Sequence, residues 1–213
     1  MKDTRALRAR IIRTARAMNA LGINRGKSGN VSARVDRGFL VTPSALPYEE
    51  TAPHDIVFVD HDGKASGSRV PSSEWRFHRD IYAARAEANA IVHTHSPFAT
   101  TLACLDRAIP AFHYMVAVAG GDDIRCAPYA TFGTQALSDH AVRALGGRRA
   151  CLLAHHGMIT LGATLDAALA LAAEVETLAE MYWRALAISE PALLSADEMA
   201  AVVEKFDRYR AAK

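Results

Sequence analysis

The stretch SSEWRFHRDIYAARAEANAIVHTHS, residues 72–96, predicts a helix followed by a strand, with chemically active side chains at both ends. The helix is expected to be capped by Ser72 and to carry Glu74 in its first turn. The strand runs into His93 and His95. Because strand side chains alternate between faces, these two imidazoles point to one side, roughly 7 Å apart along the strand. Such a pair is typical of metal ligands.

On the N-terminal side of this stretch, the sequence predicts an amphipathic helix and a small sheet. Apolar residues recur at intervals of three and four from Thr4 to Leu21, with arginines between them. Strands are predicted next, at residues 31–35, 38–42 and 55–60. The glycine-rich loop at residues 22–30 leaves backbone amides exposed, which predicts either an anion site or an ordinary tight connection.

On the C-terminal side, short elements precede a helical last third. Ser96 begins a second helix, and Pro97 occupies the first-turn position where its missing amide costs nothing. Further elements are predicted as strands at 126–132 and 150–154 and as helices at 134–145, 165–186 and 195–210. No composition break, repeat or low-complexity linker occurs. One domain spanning residues 1–213 is therefore expected, with helices against a largely antiparallel sheet.

Composition excludes several classes of partner. Lys plus Arg is 25 and Asp plus Glu is 23, so a net charge of +2 gives no field that would attract nucleic acid or an anionic membrane. The three cysteines, Cys104, Cys126 and Cys151, are odd in number and widely spaced, which argues against a disulfide framework and favours a reducing cytoplasm. The N-terminal helix is charged along its length, unlike a signal peptide or a membrane span.

A third metal ligand is available from the pair His155 and His156, which follows the predicted strand at 150–154. Adjacent strand residues face opposite ways, so one of the two is expected to face the cavity while the other packs inward or bonds to backbone. Spacing alone leaves that choice open. Three neutral imidazoles with an open fourth position are typical of catalytic rather than structural zinc. The other turn or loop histidines are expected to be local surface residues: His54, His61, His113 and His140.

Two further features bear on chemistry. Glu74 and His78, four residues apart, share a helix face, which predicts either a proton-transferring carboxylate beside the metal or an ordinary surface pair. Ser72 and Ser73, with the first amides of the helix, form a second candidate anion site, and two such sites favour a phosphorylated substrate. No lysine is placed for a Schiff base, so carbanion chemistry would depend on metal.

Five ordered motifs resemble those of the class II aldolase and adducin family: Gly29-Asn30-Val31-Ser32, Thr42-Pro43-Ser44, Ser72-Ser73-Glu74, His93-Thr94-His95 and His155-His156-Gly157. The resemblance covers nearly the whole chain. It implies a three-layer α/β/α fold with a mostly antiparallel central sheet and a mobile C-terminal segment at about 200–213. It also implies a homotetramer whose active sites lie between neighbouring subunits.

The resemblance further implies roles for individual residues. Zinc, with manganese or cobalt as alternatives, would be held by His93, His95 and His156. Glu74 would be the catalytic acid/base and an additional ligand in the absence of substrate, with its pKa raised toward neutrality by partial burial. Tyr114 would move the proton on the aldehyde oxygen. The substrate phosphate would be held by Lys27, Gly29, Asn30, Ser44, Ala45, Ser72 and Ser73, and the aldehyde side would be shaped by Phe132, Phe206 and Tyr209.

The implied reaction is reversible cleavage of a ketose 1-phosphate, such as L-fuculose 1-phosphate, to dihydroxyacetone phosphate and a small aldehyde such as L-lactaldehyde. Members of the family that act on that sugar have Thr, and later Thr-Gly, where this chain has Lys27 and Ser44-Ala45. A lysine there either strengthens phosphate binding or favours another anionic substrate. Alternatives within the family are epimerases, decarboxylases, dehydratases and adducin-like binding proteins that have lost the metal ligands.

Overall fold

The computed structural model describes residues 1–211 and has the expected three-layer architecture, with one sheet between two layers of helices. Six α-helices lie in this range: α1 Arg5–Ala20, α2 Trp75–Ala84, α3 Pro97–Ala103, α4 Gln135–Ala144, α5 Leu165–Leu186 and α6 Ala196–Ala211. The sheet consists of β1 Asn30–Val35, β2 Gly38–Val41, β3 Val57–Asp60, β4 Ala65–Ser66, β5 Ala90–Thr94, β6 Arg125–Ala127, β7 Ala150–Leu153 and β8 Gly157–Gly162. Short 3-10 helices occupy Pro53–Asp55 and Tyr114–Ala119.

The sheet has eight strands in the order β4-β3-β2-β1-β5-β8-β7-β6. Strands β6 and β7 pair in parallel, and the other neighbours pair antiparallel, so the prediction of a mostly antiparallel sheet is confirmed. Strand β5 lies in the middle, with β1 on one side and β8 on the other. Both edges of β5 are therefore hydrogen-bonded, which holds the backbone near its two histidines in place.

The two faces of the sheet bury separate apolar clusters. Helices α1, α3 and α5 cover one face, where the alternate residues Ala90 and Val92 of β5 are buried. Helices α2 and α4 cover the other face, where Ile91 of β5 is buried with Phe77 and Ile81 of α2. Since β5 alternates, its odd-numbered side chains, including His93, face the α2 layer.

Several predicted boundaries need correction. Strand β8 was not predicted, because Gly157–Gly162 is short and buried on both faces and so has no period-two pattern. The strand predicted at 126–132 ends at Ala127, since Pro128 follows and cannot donate to the ladder. Helix α2 begins at Trp75, so Glu74 sits at the capping position and not in the first turn. Helices α1, α4 and α5 agree with prediction to within one or two residues.

The C-terminal helix α6 packs on the 3-10 helix Tyr114–Ala119 and buries Met199. Residues 212 and 213, at the end of the segment for which mobility was expected, lie outside the described residues. Mobility of 200–213 and the single-domain span of 1–213 stay predictions. Within residues 1–211, none of the helices combines the length and apolar character needed to cross a membrane. The cytoplasmic location also stays a prediction.

Candidate metal centre

Four side chains from three parts of the fold converge at one end of the sheet. His93 ends β5 and His95 follows it, His156 lies in the turn between β7 and β8, and Glu74 precedes α2. Each offers one nitrogen or oxygen, and these four atoms lie within 4.8 Å of one another. The sequence therefore placed His93, His95 and Glu74 together correctly, and the resemblance selected the histidine of the 155–156 pair that joins them.

The distances within this cluster are those of atoms that share a centre. Nε2 of His93 lies 3.0 Å from Nε2 of His95 and 3.1 Å from Oε2 of Glu74. Nε2 of His156 lies 3.1 Å from Oε1 of Glu74. The three imidazole rings are 4.8–4.9 Å apart, centroid to centroid, and nearly perpendicular in each pair.

The tautomer of His93 follows from its partner on β8. Nδ1 of His93 lies 2.9 Å from the carbonyl oxygen of Met158. A carbonyl only accepts, so Nδ1 carries the proton and donates it. In the neutral ring Nε2 then carries a lone pair, and that lone pair faces Glu74 and His95. A partner carbonyl that fixes the tautomer in this way is typical of metal-binding histidine.

This donor set fits a divalent cation better than it fits hydrogen bonding among its own members. Among residues 1–211, Oε1 of Glu74 is buried and receives no hydrogen bond of suitable geometry. Burial, together with the neighbouring imidazoles, lowers the pKa of His95 to about 3, so this ring is also neutral. Lone pairs of neutral imidazoles and of a carboxylate that point at one another repel unless a cation lies between them.

Glu74 differs from expectation in its acidity. Burial opposes ionisation of the carboxyl, but the imidazoles of His93 and His156 outweigh burial and hold its pKa below the ordinary value. The expected rise of the Glu74 pKa toward neutrality is therefore wrong for this arrangement. The physical reason is that each carboxylate oxygen lies 3.1 Å from an imidazole nitrogen, so any positive charge at these rings favours the ionised carboxylate over the acid.

Two glycines allow the strands that carry the ligands to approach closely. A side-chain carbon on Gly29 would lie 2.5 Å from the carbonyl oxygen of His93, and one on Gly157 would lie 2.3 Å from the carbonyl oxygen of Thr94. Both distances are shorter than a van der Waals contact. The glycines of two motifs noted in the sequence are therefore required by the backbone on either side of β5.

His155 meets only part of the expectation. It was predicted to pack inward or to bond to backbone. Its own N–H donates to the carbonyl oxygen of Ala103, but it does not pack inward, because 52 % of its side chain is exposed and Nε2 lies 3.8 Å from Oδ2 of Asp106. The pair lies in a turn and not at a strand end, and His155 takes a positive φ of 55°. The alternation expected of strand residues therefore does not apply to it.

His78, the other residue on the Glu74 face of α2, is completely buried, so the surface-pair alternative is wrong. Its Nε2 lies 2.6 Å from Oδ1 of Asn30, and Nδ2 of Asn30 donates to Oε2 of Glu74 at 3.0 Å. Both polar atoms of the Asn30 side chain thus have partners inside the protein. The phosphate contact expected of Asn30 stays a prediction.

A cavity of about 400 Å³ opens beside the cluster. Of the predicted residues, its lining includes Glu74, His95 and His156 of the metal set, Lys27, Ala45 and Ser73 of the phosphate set and Phe132 of the aldehyde set, and it also includes Ser28, Tyr129, Ala130 and His155. Tyr129 and Phe132 are exposed there. Ser72 is buried, and its Oγ accepts a hydrogen bond from the backbone N–H of Glu74. Ser44, which precedes Ala45 in the sequence, is exposed.

The glycine loop is fastened to this cavity by contacts that the sequence did not reveal. Nζ of Lys27 donates to the carbonyl oxygen of Ala45 at 2.9 Å. Ala45 has a φ of 61°, the left-handed region that favours glycine. The hydroxyl of buried Tyr48 donates to the carbonyl oxygen of Gly29. Buried Asn24 accepts from the backbone N–H of His95, which ties the loop to the end of β5.

Several predicted residues do not line this cavity, and three of them share another one. Tyr114, Phe206 and Tyr209 line a separate cavity of about 360 Å³ between the 3-10 helix and α6. Tyr114 and Tyr209 are 51 % and 64 % exposed. Within one chain, the structure therefore forms two groups of predicted site residues, one beside the cluster and one beside α6.

Comparison with known proteins gives consistent matches over almost the whole chain. Residues 9–183 match the family described as class II aldolase and adducin N-terminal domain. A protein of Rhodospirillum rubrum, the 5-methylthioribulose-1-phosphate/5-deoxyribulose-1-phosphate aldolase, is 60 % identical over 96 % of this chain and 92 % of its own. The L-fuculose phosphate aldolase of Escherichia coli K12 is 50 % identical over 95 % of each chain. A solved structure of an L-fuculose 1-phosphate aldolase superposes with a TM-score of 0.94 at 38 % identity, covering 97 % of this chain and 98 % of that one.

Proposed function

The chain belongs to the class II aldolase and adducin family and is an aldolase of it, and we propose that its substrate is a ketose 1-phosphate whose far end is apolar. The products are dihydroxyacetone phosphate and a small aldehyde. The observation that carries the proposal is the convergence of Glu74 and three histidines beside a cavity with cationic and hydroxyl groups and two aromatic rings.

The metal is held by His93, His95 and His156, with Glu74 as a further ligand before substrate binds. Zinc is the cation that this set of imidazoles favours, with manganese or cobalt as alternatives. When bound, such a cation supplies Lewis-acid stabilisation of negative charge on substrate oxygens. The protein's part is to fix the rings, as the Met158 carbonyl does for His93.

Cleavage breaks the bond between the third and fourth carbons of the sugar. As the aldehyde forms, Tyr114 accepts the hydroxyl proton of the fourth carbon while passing its own proton to solvent. Glu74, protonated from solvent before this step, gives its proton to the third carbon and returns to the carboxylate, so protons balance over one turnover. Glu74 is a carboxylate at rest because of its lowered pKa. In condensation it takes the carbon-bound proton, and by reversibility its protonated form returns that proton in cleavage.

The phosphate end of the substrate lies against the glycine loop and the residues before α2. Lys27 and Ser28 of the loop and Ser73 before α2 line the cavity there. An ammonium and hydroxyl donors are suited to a phosphate dianion. Gly29, Ser44, Ala45 and Ser72 complete the phosphate site in this proposal, together with Asn30, whose Nδ2 carries a second hydrogen besides the one donated to Glu74.

The far end of the substrate lies against aromatic side chains. Tyr129 and Phe132 line the cavity with exposed rings, and Phe206 and Tyr209 would join them from a second copy of the chain. The relatives are named for L-fuculose phosphate, 5-deoxyribulose 1-phosphate and 5-methylthioribulose 1-phosphate. Each of these sugars ends in a methyl or methylthio group, which aromatic surface would bind by burial from water.

The division of site residues between two cavities supports a shared active site. Tyr114 lies in the α6 cavity and Glu74 in the metal cavity of the same chain. In a homotetramer, the Tyr114 cavity of one subunit would meet the metal cavity of its neighbour. Exposed aromatic residues, here Tyr129 and Phe132, are enriched at interfaces of this kind.

The proposal is tested by measuring release of dihydroxyacetone phosphate from four substrates. L-fuculose 1-phosphate, 5-deoxyribulose 1-phosphate and 5-methylthioribulose 1-phosphate carry an apolar end, and ribulose 1-phosphate is the matched control with one added hydroxyl. We expect kcat/KM for the apolar-ended sugars to exceed that for ribulose 1-phosphate by about 10- to 100-fold, the range that an apolar pocket provides.

A chelator should abolish release, and added zinc should restore it. If none of the four sugars yields dihydroxyacetone phosphate, the proposed reaction is wrong. An epimer, a decarboxylated sugar or a dehydrated sugar would then assign the chain to another reaction of the family. If kcat/KM for ribulose 1-phosphate equals that for the apolar-ended sugars, only the proposed preference for an apolar end is refuted.

A further inference from the structure

A chain of buried hydrogen bonds runs between α2 and β1 and ends on Glu74. Glu74, His78 and Tyr82 are spaced four residues apart and share one face of α2. Asn30 and Ser32 alternate along β1 and face that helix. The hydroxyl of Tyr82 lies 2.8 Å from Oγ of Ser32, which lies 2.7 Å from Nδ1 of His78. His78 in turn contacts Asn30, and Asn30 contacts Glu74.

The direction of each bond in this chain follows from its end. A carboxylate only accepts, so Asn30 must present Nδ2–H to Glu74 and Oδ1 to His78. An amide oxygen also only accepts, so Nε2 of His78 carries the proton. The carboxylate of Glu74 therefore requires that His78 donates from Nε2 to Asn30.

The remaining two bonds complete the same direction. Burial lowers the pKa of His78 to about 3, so the ring is neutral and Nδ1 accepts from the hydroxyl of Ser32. Ser32 has then used its single proton and accepts from the hydroxyl of Tyr82. Every proton points toward Glu74, and none of these five residues except Glu74 lines the cavity.

We propose that His78 is a positioning residue of the aldolase, which holds the Asn30 amide so that its N–H stays on Oε2 of Glu74 and Oε1 is left to exchange the substrate proton. This inference rests on the proposed function of Glu74. His78 itself contacts neither the cavity nor the three histidine ligands by hydrogen bond. Its effect reaches the reaction through Asn30.

Loss of the His78 donor changes what Asn30 presents to Glu74. Without a partner for Oδ1, the Asn30 amide is free to turn, and its oxygen can then face a carboxylate oxygen. That contact is repulsive and displaces Glu74. Residues that orient catalytic or metal-binding groups from behind affect rate by about 10- to 100-fold when they are replaced.

A purely structural role for His78 would rest on its packing. Its ring lies 4.6 Å from the ring of Phe77 and 6.2 Å from that of Phe39, centroid to centroid. A test must therefore separate the donor on Nε2 from the shape of the ring. Gln offers an N–H at the distance of Nε2, whereas Met fills similar space without a donor.

The experiment compares His78→Met, His78→Gln and Phe39→Leu with the wild-type protein. We expect His78→Met to lower kcat by about 10- to 100-fold, with KM for the ketose phosphate and bound metal unchanged. His78→Gln should recover most of that loss. Phe39→Leu, which alters the packing beside His78 but leaves the hydrogen bonds, should lower the unfolding temperature and keep kcat.

Three outcomes would overturn the proposal. The first is a wild-type kcat in His78→Met. The second is a loss of kcat in His78→Gln as large as that in His78→Met. The third is a loss of kcat in Phe39→Leu as large as that in His78→Met. A neutron structure of the metal-loaded protein tests the chain without any substrate, because deuterium should be on Nε2 of His78 and absent from Nδ1. Deuterium on Nδ1 alone would refute the positioning role, even if no ketose phosphate were cleaved.

Discussion

Lys27 lies at a position where its charge can act on the phosphate end of the substrate. Its Nζ is exposed, lines the metal cavity and donates to the carbonyl oxygen of Ala45. Ala45 occupies the left-handed region without the freedom of glycine. In the proposed site the lysine would combine a charge for the phosphate with a bond that holds a strained turn, where family members that act on L-fuculose 1-phosphate have Thr and Thr-Gly.

We expect Lys27→Met to raise KM for the ketose phosphate about tenfold while kcat changes much less. In the proposed complex the ammonium would contact a phosphate that does not react, so it would stabilise the bound substrate and the transition state alike. A contribution of about 1.4 kcal/mol corresponds to that factor. Steady-state kinetics at several salt concentrations measure it, because screening weakens an exposed charge and the variant should lose most of the salt dependence.

Lys64→Met is the matched control for this prediction. Lys64 is exposed in the turn between β3 and β4 and does not line the metal cavity. Its removal should leave KM and the salt dependence as in the wild type. If Lys27→Met lowers kcat instead and leaves KM unchanged, the lysine acts on the reacting end and not on the phosphate.

For single residues, local sequence patterns predict the candidate metal ligands better than they predict the residues that hydrogen-bond to those ligands. His93 and His95 follow from strand alternation alone, and the structure brings them together with Glu74. His78 needed the additional knowledge that α2 packs its Glu74 face onto β1. The spacing of Glu74, His78 and Tyr82 carried that signal, but a helix face does not say which strand it meets.

Helix α5 stabilises the start of helix α3, which lies next to the metal centre. Glu176, buried on α5, accepts from the backbone N–H groups of Phe98 and Ala99 at 2.8 and 2.9 Å. These N–H groups lie in the first turn of α3, where the helix itself offers them no acceptor. Helix α3 begins two residues after His95. Helix α5 therefore caps another helix and fixes the backbone just beyond a ligand.

We expect Glu176→Ala to destabilise the protein by about 1–3 kcal/mol, because it leaves two N–H groups without a partner away from water. It should also weaken metal binding, since the segment after His95 loses its anchor. Glu180→Ala is the control on the next turn of α5, where the carboxylate pairs with exposed Arg184. Its cost should be below about 0.5 kcal/mol.

Urea unfolding and zinc titration of both variants measure these effects. Equal stability of Glu176→Ala and Glu180→Ala would contradict the capping role. Unchanged zinc affinity in Glu176→Ala would show that the capping bonds stabilise the fold without reaching the ligand.

The sequence did not predict elements in which apolar and polar residues do not alternate regularly. Strand β8 is buried at each of its six residues, Gly157–Gly162, and is bounded by glycine. The motif at 155–157 was therefore interpreted as a strand end and not as the turn of a hairpin with β7. As a consequence the Met158 carbonyl, which sets the tautomer of His93, could not be found from sequence. Helices α1, α4 and α5, with clear amphipathic patterns, were predicted to within one or two residues.

At the scale of the molecule, the question is how many chains make one active site. Tyr114, Phe206 and Tyr209 share a cavity beside α6, and Glu74 lies in another. No local pattern in the sequence could show this division, because it depends on the path of the whole chain around the sheet. Since Tyr114 and Glu74 line different cavities of one chain, we expect the Tyr114 that takes a proton from the substrate at Glu74 to come from a neighbouring subunit.

Subunit complementation tests this arrangement. Glu74→Gln and Tyr114→Phe should each lower activity by at least about 100-fold as pure assemblies, since each removes a proton-transfer group. When the two variants are co-expressed, random assembly places an intact Glu74 beside a neighbour's intact Tyr114 at about a quarter of the sites. Mixed assemblies should therefore regain about a quarter of wild-type activity, measured after native mass spectrometry has established their composition.

The control for complementation pairs two residues of the same cavity. Glu74 and His95 both belong to the metal cluster of one chain, so mixing Glu74→Gln with His95→Ala leaves every site defective. That mixture should stay inactive, which separates true sharing from a general effect of mixing. If the Glu74→Gln and Tyr114→Phe mixture is also inactive, although native mass spectrometry shows mixed assemblies, Tyr114 does not act on a neighbour's substrate. The proton on the aldehyde oxygen would then have to move to a group in the metal cavity itself, where Tyr129 is the tyrosine among its lining residues.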